Sequence, residues 1–192
     1  MSHIFNENGY DAEIVLENGI YFLSQEDRQS IEDELKKVSI GFCCIEMRSG
    51  PQASLFRGIV TFINENLTSL IIGSLLMPAA YDVIKIIFKK IVAGIKNGPV
   101  RMVSPNKISL PTLILKFVTK KGYIDAPIPD NLSDAQFDKY MDLLKIAIQS
   151  LTEDKISKGE LVAEYEPESE KVFIKTVLEY GRGQFEKQQN MK

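Results

Sequence analysis

Apolar positions along the chain fall into short alternating runs and longer three-and-four spacings, and these two periods separate strands from helices. Ile14, Leu16, Ile20 and Phe22 flank Glu17-Asn18-Gly19, which predicts a hairpin turning on Asn-Gly. Ser24 and Asp27 form a capping box that opens a helix from Gln25 to Lys37, with Ile31, Leu35 and Val38 on one face. Ser39–Arg48 reads as a strand, closed by Ser49-Gly50-Pro51. Ala53–Asn64 predicts a first central helix carrying Leu55, Ile59 and Phe62 or Ile63. Leu67–Ala80 holds no charge, and Pro78 marks a kink or the first turn of a new helix. Tyr81–Lys96 is an amphipathic helix: Ile84, Ile87, Phe88, Ile91 and Ile95 follow one face, and Lys85, Lys89 and Lys96 line another. Gly94 and Gly98 weaken and end it.

Thr112–Lys120 alternates, with Leu113, Leu115 and Phe117 facing one way and Lys116 and Lys120 the other. Lys121-Gly122 turns the chain into Tyr123–Ile128, and Pro127 and Pro129 predict an edge position for that strand. Ser133 and Gln136 box the start of a helix whose apolar positions include Phe137, Tyr140, Met141, Leu144 and Ile148. Leu161–Glu166 and Lys171–Leu178 read as a last hairpin, and Gly181–Lys192 as a frayed polar end. This order predicts an α+β fold: antiparallel strands and hairpins packed on four or five helices, with an apolar central helical segment. One domain is expected over 1–192, with sub-structure at 13–50, 53–97 and 107–178.

At 192 residues the chain can bury a core without disulfide or metal staples. A content of 44% hydrophobic and 26% charged residues excludes disordered and fibrous classes. The net charge of −3 conceals an uneven distribution. Residues 1–60 carry ten acidic and five basic side chains, 61–120 two and eight, and 121–192 fourteen and ten. The cationic middle either solvates one helix face and pairs with acidic neighbours, or presents a docking surface. Cys43 and Cys44 are adjacent, so on a strand they point to opposite faces and read as reduced, buried thiols.

The single histidine, His3, removes Ser-His-Asp and Cys-His nucleophilic sites and the common zinc sites. No phosphate-cradling loop is present, and Gly181-Arg182-Gly183 lacks the pattern of one. Asp134, Asp138 and Asp142 share one helix face, the arrangement of a solvated face or of a carboxylate-based site. No metal or other cofactor is expected. The basic residues are interleaved with aliphatic rather than stacking aromatic side chains, and with a pI of 5.4 this argues against nucleic acid. Met1–Glu7 shows no basic stretch followed by an apolar run, so a cytoplasmic location is expected. The uncharged window from Asn66 to Tyr81 has 16 residues, short of the roughly 20 needed to span a bilayer as a helix.

Ser54–Gly98 forms a helical block whose first part is apolar and contains glycine and whose second part is basic. It is followed by a strand pair at Ile108–Pro129 and a helix at Asn131–Leu144. Over about half the chain this layout resembles the small effector-associated accessory proteins of bacterial conflict and defence systems. Those proteins carry an Asp-Gly turn with a following Arg, where this chain reads Lys121-Gly122-Tyr123, so no functional residue carries over. The cationic middle beside an apolar helix face predicts a non-enzymatic accessory, adaptor or immunity-type protein acting through protein–protein contact, a role in keeping with this resemblance. The expected contact residues are Lys85, Lys89, Lys96 and Arg101, with Ile84, Phe88 and Ile91 as the apolar surface if that face is open. The expected partner is another protein or a second copy of the chain. The alternatives are a membrane-associated component docking through residues 66–96, and an enzyme with a carboxylate-based site.

Overall fold

Aliphatic and β-branched residues dominate Ala12–Glu17 (β1), Ile40–Ile45 (β2) and Gly58–Ile63 (β3). All three are strands in the computed structural model, which describes residues 10–46, 58–104, 107–157 and 159–190. Ser24 caps α1 (Gln25–Lys36): its hydroxyl accepts from the Asp27 N–H at 3.0 Å, and its own N–H donates to the Asp27 carboxylate at 3.3 Å. Asn64 caps α2 (Glu65–Ile72) by accepting from the Leu67 N–H at 3.0 Å. Pro78 takes the first position of α3 (Pro78–Asn97), where a missing N–H breaks no helical bond. A short ribbon, β4 (Met102–Ser104) with β5 (Lys107–Ser109), leads to the hairpin of β6 (Thr112–Thr119) and β7 (Gly122–Pro127). Then come α4 (Asp134–Gln149), the single turn α5 (Glu153–Ile156), β8 (Glu160–Glu166), β9 (Lys171–Thr176) and α6 (Val177–Asn190).

The protein is an α+β fold. Seven strands form one sheet in the order β2-β1-β3-β6-β7-β8-β9. Within it β1–β2, β3–β6 and β7–β8 are parallel, and the other three neighbouring pairs are antiparallel. Each parallel pair requires a crossover, and α1, α2 with α3, and α4 supply them. One sheet face bears Ile14, Leu16, Ile59, Leu113, Leu115, Phe117, Ile124 and Leu161, and it shares a single buried cluster with the inner faces of α1 to α4. The opposite face meets α6, where the Gln184 side-chain amide donates to Glu164 at 3.2 Å.

Several expectations differ from this arrangement. The sheet is mixed, because helices rather than tight turns join three of its strand pairs. Asn18-Gly19 does not turn a hairpin: Asn18 is left-handed (φ 56°) and sends the chain into a 3-10 turn at Gly19–Tyr21. Residues 58–63 form a central strand rather than a helix, since all six pair with β6 and Thr61, Phe62 and Ile63 pair with β1 as well. Residues 53–57 of that expected helix lie outside the described residues. β7 is interior despite its proline: β8 pairs with it only along Tyr123–Asp125, so Pro127 lies beyond the ladder its N–H would serve. Residues 181–190 belong to α6 rather than to a frayed end. Gly94 does not weaken α3 without return, because a Cβ there would lie 2.6 Å from Leu23 Cδ2. Its absence lets the Phe22-Leu23 segment seat against α3.

At the β7–β8 crossover, a Cβ on Gly122 would stand 2.4 Å from the Gly159 carbonyl oxygen, with backbone on both sides and nothing that can rotate away. Gly122→Ala is expected to lose about 1–3 kcal/mol in urea unfolding, by forcing these strands apart. An unchanged midpoint would show that the two glycines do not need this approach.

Candidate functional site

α3 presents its aliphatic ridge inward. Ile84, Phe88 and Ile91 are buried in the shared core, so the condition under which they would form a contact surface is not met. Covering such side chains is worth about 1.5–3 kcal/mol each, far more than any surface ion pair, so the core holds them. The adjacent lysines are occupied as well. Lys85 Nζ lies 3.1 Å from Asp142 and 3.1 Å from Asp82, and Lys89 Nζ lies 2.7 Å from Asp138. Desolvation works against the Lys85 charge, but the hydrogen bonds to Asp82 and Asp142 outweigh it and its pKa is raised. The Tyr81 hydroxyl donates to the Met141 carbonyl at 2.5 Å, and the Lys145 ammonium stands 4.6 Å from the centre of the Tyr81 ring. The lysine stripe of α3 and the aspartate stripe of α4 are therefore two halves of one seam between antiparallel helices. Of the expected contact residues, five belong to the core or to this seam.

Lys96 and Arg101 are placed differently. Both are exposed near the C-terminus of α3, and neither makes an ion pair among the described residues. Arg101 Nη1 donates to the carbonyls of Gly98 (2.5 Å) and Val100 (2.7 Å), where the helix dipole favours a cation. Lys96 lines a cavity of 190 Å³ bounded by the end of α3, the chain leading into β6 and the chain leaving β7. Val92, Ile95, Leu110, Leu113 and Ile128 line it together with the polar side chains of Ser109, Thr112, Asp130 and Asn131. The same end of the molecule exposes Ile108 on β5, open over 70% of its surface, and Leu110. Sequence reading found the two cations here but not the apolar residues, because Ile108 and Leu110 look like strand positions awaiting a core.

A second concentration of charge lies on the opposite face of the sheet. Lys116 on β6 pairs with Asp125 on β7 at 2.8 Å, with both side chains largely buried. The Lys116 ammonium also stands 3.4 Å from the centre of the Tyr123 ring. Burial pushes Asp125 up, and Lys116 only partly offsets this. Glu17 on β1 is raised for the same reason, with Lys116 and the Val60 N–H opposing. Burial and a hydrogen bond with Glu160 push the Tyr123 phenol up to about 12. This grouping was not legible in sequence, since β1, β6 and β7 come together only through the strand order. Raised carboxylates around a buried lysine are what a carboxylate-based site would use, but here Lys116 holds Asp125 as a matched internal pair.

Among the described residues, no three His, Cys, Asp or Glu side chains converge as a metal site. Cys43 and Cys44 are half-buried rather than buried and are in no disulfide among the described residues, and burial pushes Cys44 up to about 11. Among the same residues no helix is long and apolar enough to cross a membrane. No protein-family model, no curated protein and no solved structure matches the chain.

The seam predicts that Lys85→Glu with Lys89→Glu acts on stability: about 1–2 kcal/mol should be lost in urea unfolding, as two attractions become repulsions. No loss would mean that the seam is only electrostatic decoration. Lys116→Met should cost about 3–5 kcal/mol near neutral pH by leaving buried carboxylates unpaired. The folded-state pKa values of Glu17 and Asp125 are raised. Their stabilising contribution is therefore fully present below the ordinary carboxylate range and lost as pH rises through the raised values. Removing Lys116 raises those values further, so the deficit of the variant should shrink on acidification. Urea unfolding at about pH 7.5 and about pH 5 checks the sign, and a deficit independent of pH would refute the pairing.

Proposed function

We propose that the chain is a non-catalytic accessory or adaptor protein that binds a partner protein through the end where α3 stops and β6 begins. One observation carries this reading: exposed Ile108 and Leu110 stand beside an open cavity of mixed lining, with Lys96 and Arg101 outside any ion pair among the described residues. Apolar anchors next to a cavity, ringed by charge, are the usual anatomy of a protein contact. The cations favour an acidic partner surface. The resemblance in layout to accessory proteins of bacterial conflict systems enters this reading only from residue 65 onward, since residues 58–63 form a strand and not part of a helical block. It leaves the partner's identity to experiment.

A photo-crosslinking residue at Ile108, introduced in the native cell, should form a discrete protein adduct. The same residue at Ile86, an exposed position on the outer side of α3, should not. Lys96→Glu with Arg101→Glu should abolish the Ile108 adduct while leaving the folded protein intact, because both residues are exposed and free of ion pairs among the described residues. Equal adducts at both positions, or an adduct insensitive to charge reversal, would remove this surface from consideration. Adducts to lipid alone would instead favour a membrane-docking role.

A further inference from the structure

We propose that the cavity between α3, β6 and β7 is an anchor pocket for one branched or aromatic side chain of an acidic partner segment. This inference rests on the protein-binding reading above and specifies what the partner inserts.

The cavity measures 190 Å³. Apolar cavities of about 150 Å³ accept a benzene ring, whereas drug-sized ligands occupy roughly 300 Å³ or more. The space therefore suits one side chain rather than a cofactor or an extended metabolite. Ser109 and Thr112 stand in its lining, but part of its backbone offers no donor. Pro111 and Pro129 have no N–H, and the Ile128 N–H is already committed to the Leu113 carbonyl at 2.8 Å. Recognition inside the cavity therefore combines shape and apolar contact with the hydroxyls of Ser109 and Thr112.

The rim supplies polarity with a direction. Lys96 stands on the α3 side, and Asp130 and Asn131 on the side of the loop that follows β7. A peptide segment crossing the mouth would set a carboxylate against Lys96 and offer its backbone N–H to Asp130 or Asn131, with the side chain between them pointing inward. Arg101, held on the Gly98 and Val100 carbonyls, extends the cationic side and favours further acidic residues there. The occupant is thus an apolar residue with acidic neighbours. A basic segment would meet Lys96 and Arg101 with like charge.

N-acetyl-leucine and N-acetyl-phenylalanine carry the three required groups: a carboxylate, an amide N–H and one apolar side chain. Titrated into the methyl-labelled full chain, they should shift the resonances of Val92, Ile95, Leu113 and Ile128 saturably, with a dissociation constant on the order of millimolar. N-acetylglycine, which has no side chain to insert, should leave them unmoved. Lys96→Gln should weaken the acids about threefold to fivefold and leave N-acetyl-phenylalaninamide unaffected. Val92→Phe, which fills the cavity from its wall, should remove binding of all of them.

Equal shifts with N-acetylglycine, or shifts that never saturate, would overturn the pocket. The outcomes also separate the two proposals. A charge-sensitive adduct at Ile108 without binding of the acetylated amino acids leaves the docking surface standing and removes the pocket. Saturable binding without any protein adduct at Ile108 retains the pocket for a small acidic ligand and removes the partner-protein reading.

Discussion

Burial of one continuous aliphatic sheet face beneath α1 to α4 is the constraint on which everything else in this protein depends. Ile14, Leu16, Leu113, Leu115 and Phe117 from the sheet meet Ile84, Ile87, Phe88, Ile91 and Ile95 from α3 in one cluster. Five such side chains on one helix contribute on the order of 10 kcal/mol, against roughly 1 kcal/mol for each ion pair beside them. The ridge therefore decides which way α3 faces, and the charges adapt to that choice. The three parallel strand pairs follow from the same demand, because each crossover is a helix that must lie against this face.

Charge in this molecule is sorted into three kinds of work. Along the α3–α4 seam, Lys85 and Lys89 meet Asp142 and Asp138 and set the alignment of two helices already held by the core. On the far side of the sheet, Lys116 compensates carboxylates that the strand order has buried. Near the end of α3, Lys96 and Arg101 stand outside any ion pair among the described residues, beside exposed apolar residues and an open cavity. A local excess of positive charge along the chain is thus a poor guide to a surface. The acidic partners of the central lysines lie on α4, some fifty residues further on.

Local signals were read well where they act over three or four residues. The Ser24 and Ser133 boxes, the proline opening α3 and the alternation of β6 all stand where their chemistry places them. Signals that depend on neighbours distant in sequence are not legible locally. Gly58–Ile63 has an apolar spacing compatible with a helix, and only pairing on both sides makes it a strand. Pro127 points to an edge in sequence, and only the shortness of the β7–β8 ladder lets its missing N–H lie inside the sheet. For the candidate site, Lys96 and Arg101 were visible as cations, while Leu110 and the cavity behind it arise from three segments that the sequence holds apart.

By itself the sequence determined the α+β class, the positions of the helices that Ser24 and Ser133 cap and the existence of a strongly amphipathic central helix. These follow from hydrogen bonds and side-chain periods that close within a few residues. The tertiary structure alone decided which charges are spent and which remain, where the sheet is parallel and which apolar residues are left uncovered. Those outcomes depend on pairings between segments far apart in the chain, and no local pattern encodes the partner that a strand or a charge will find.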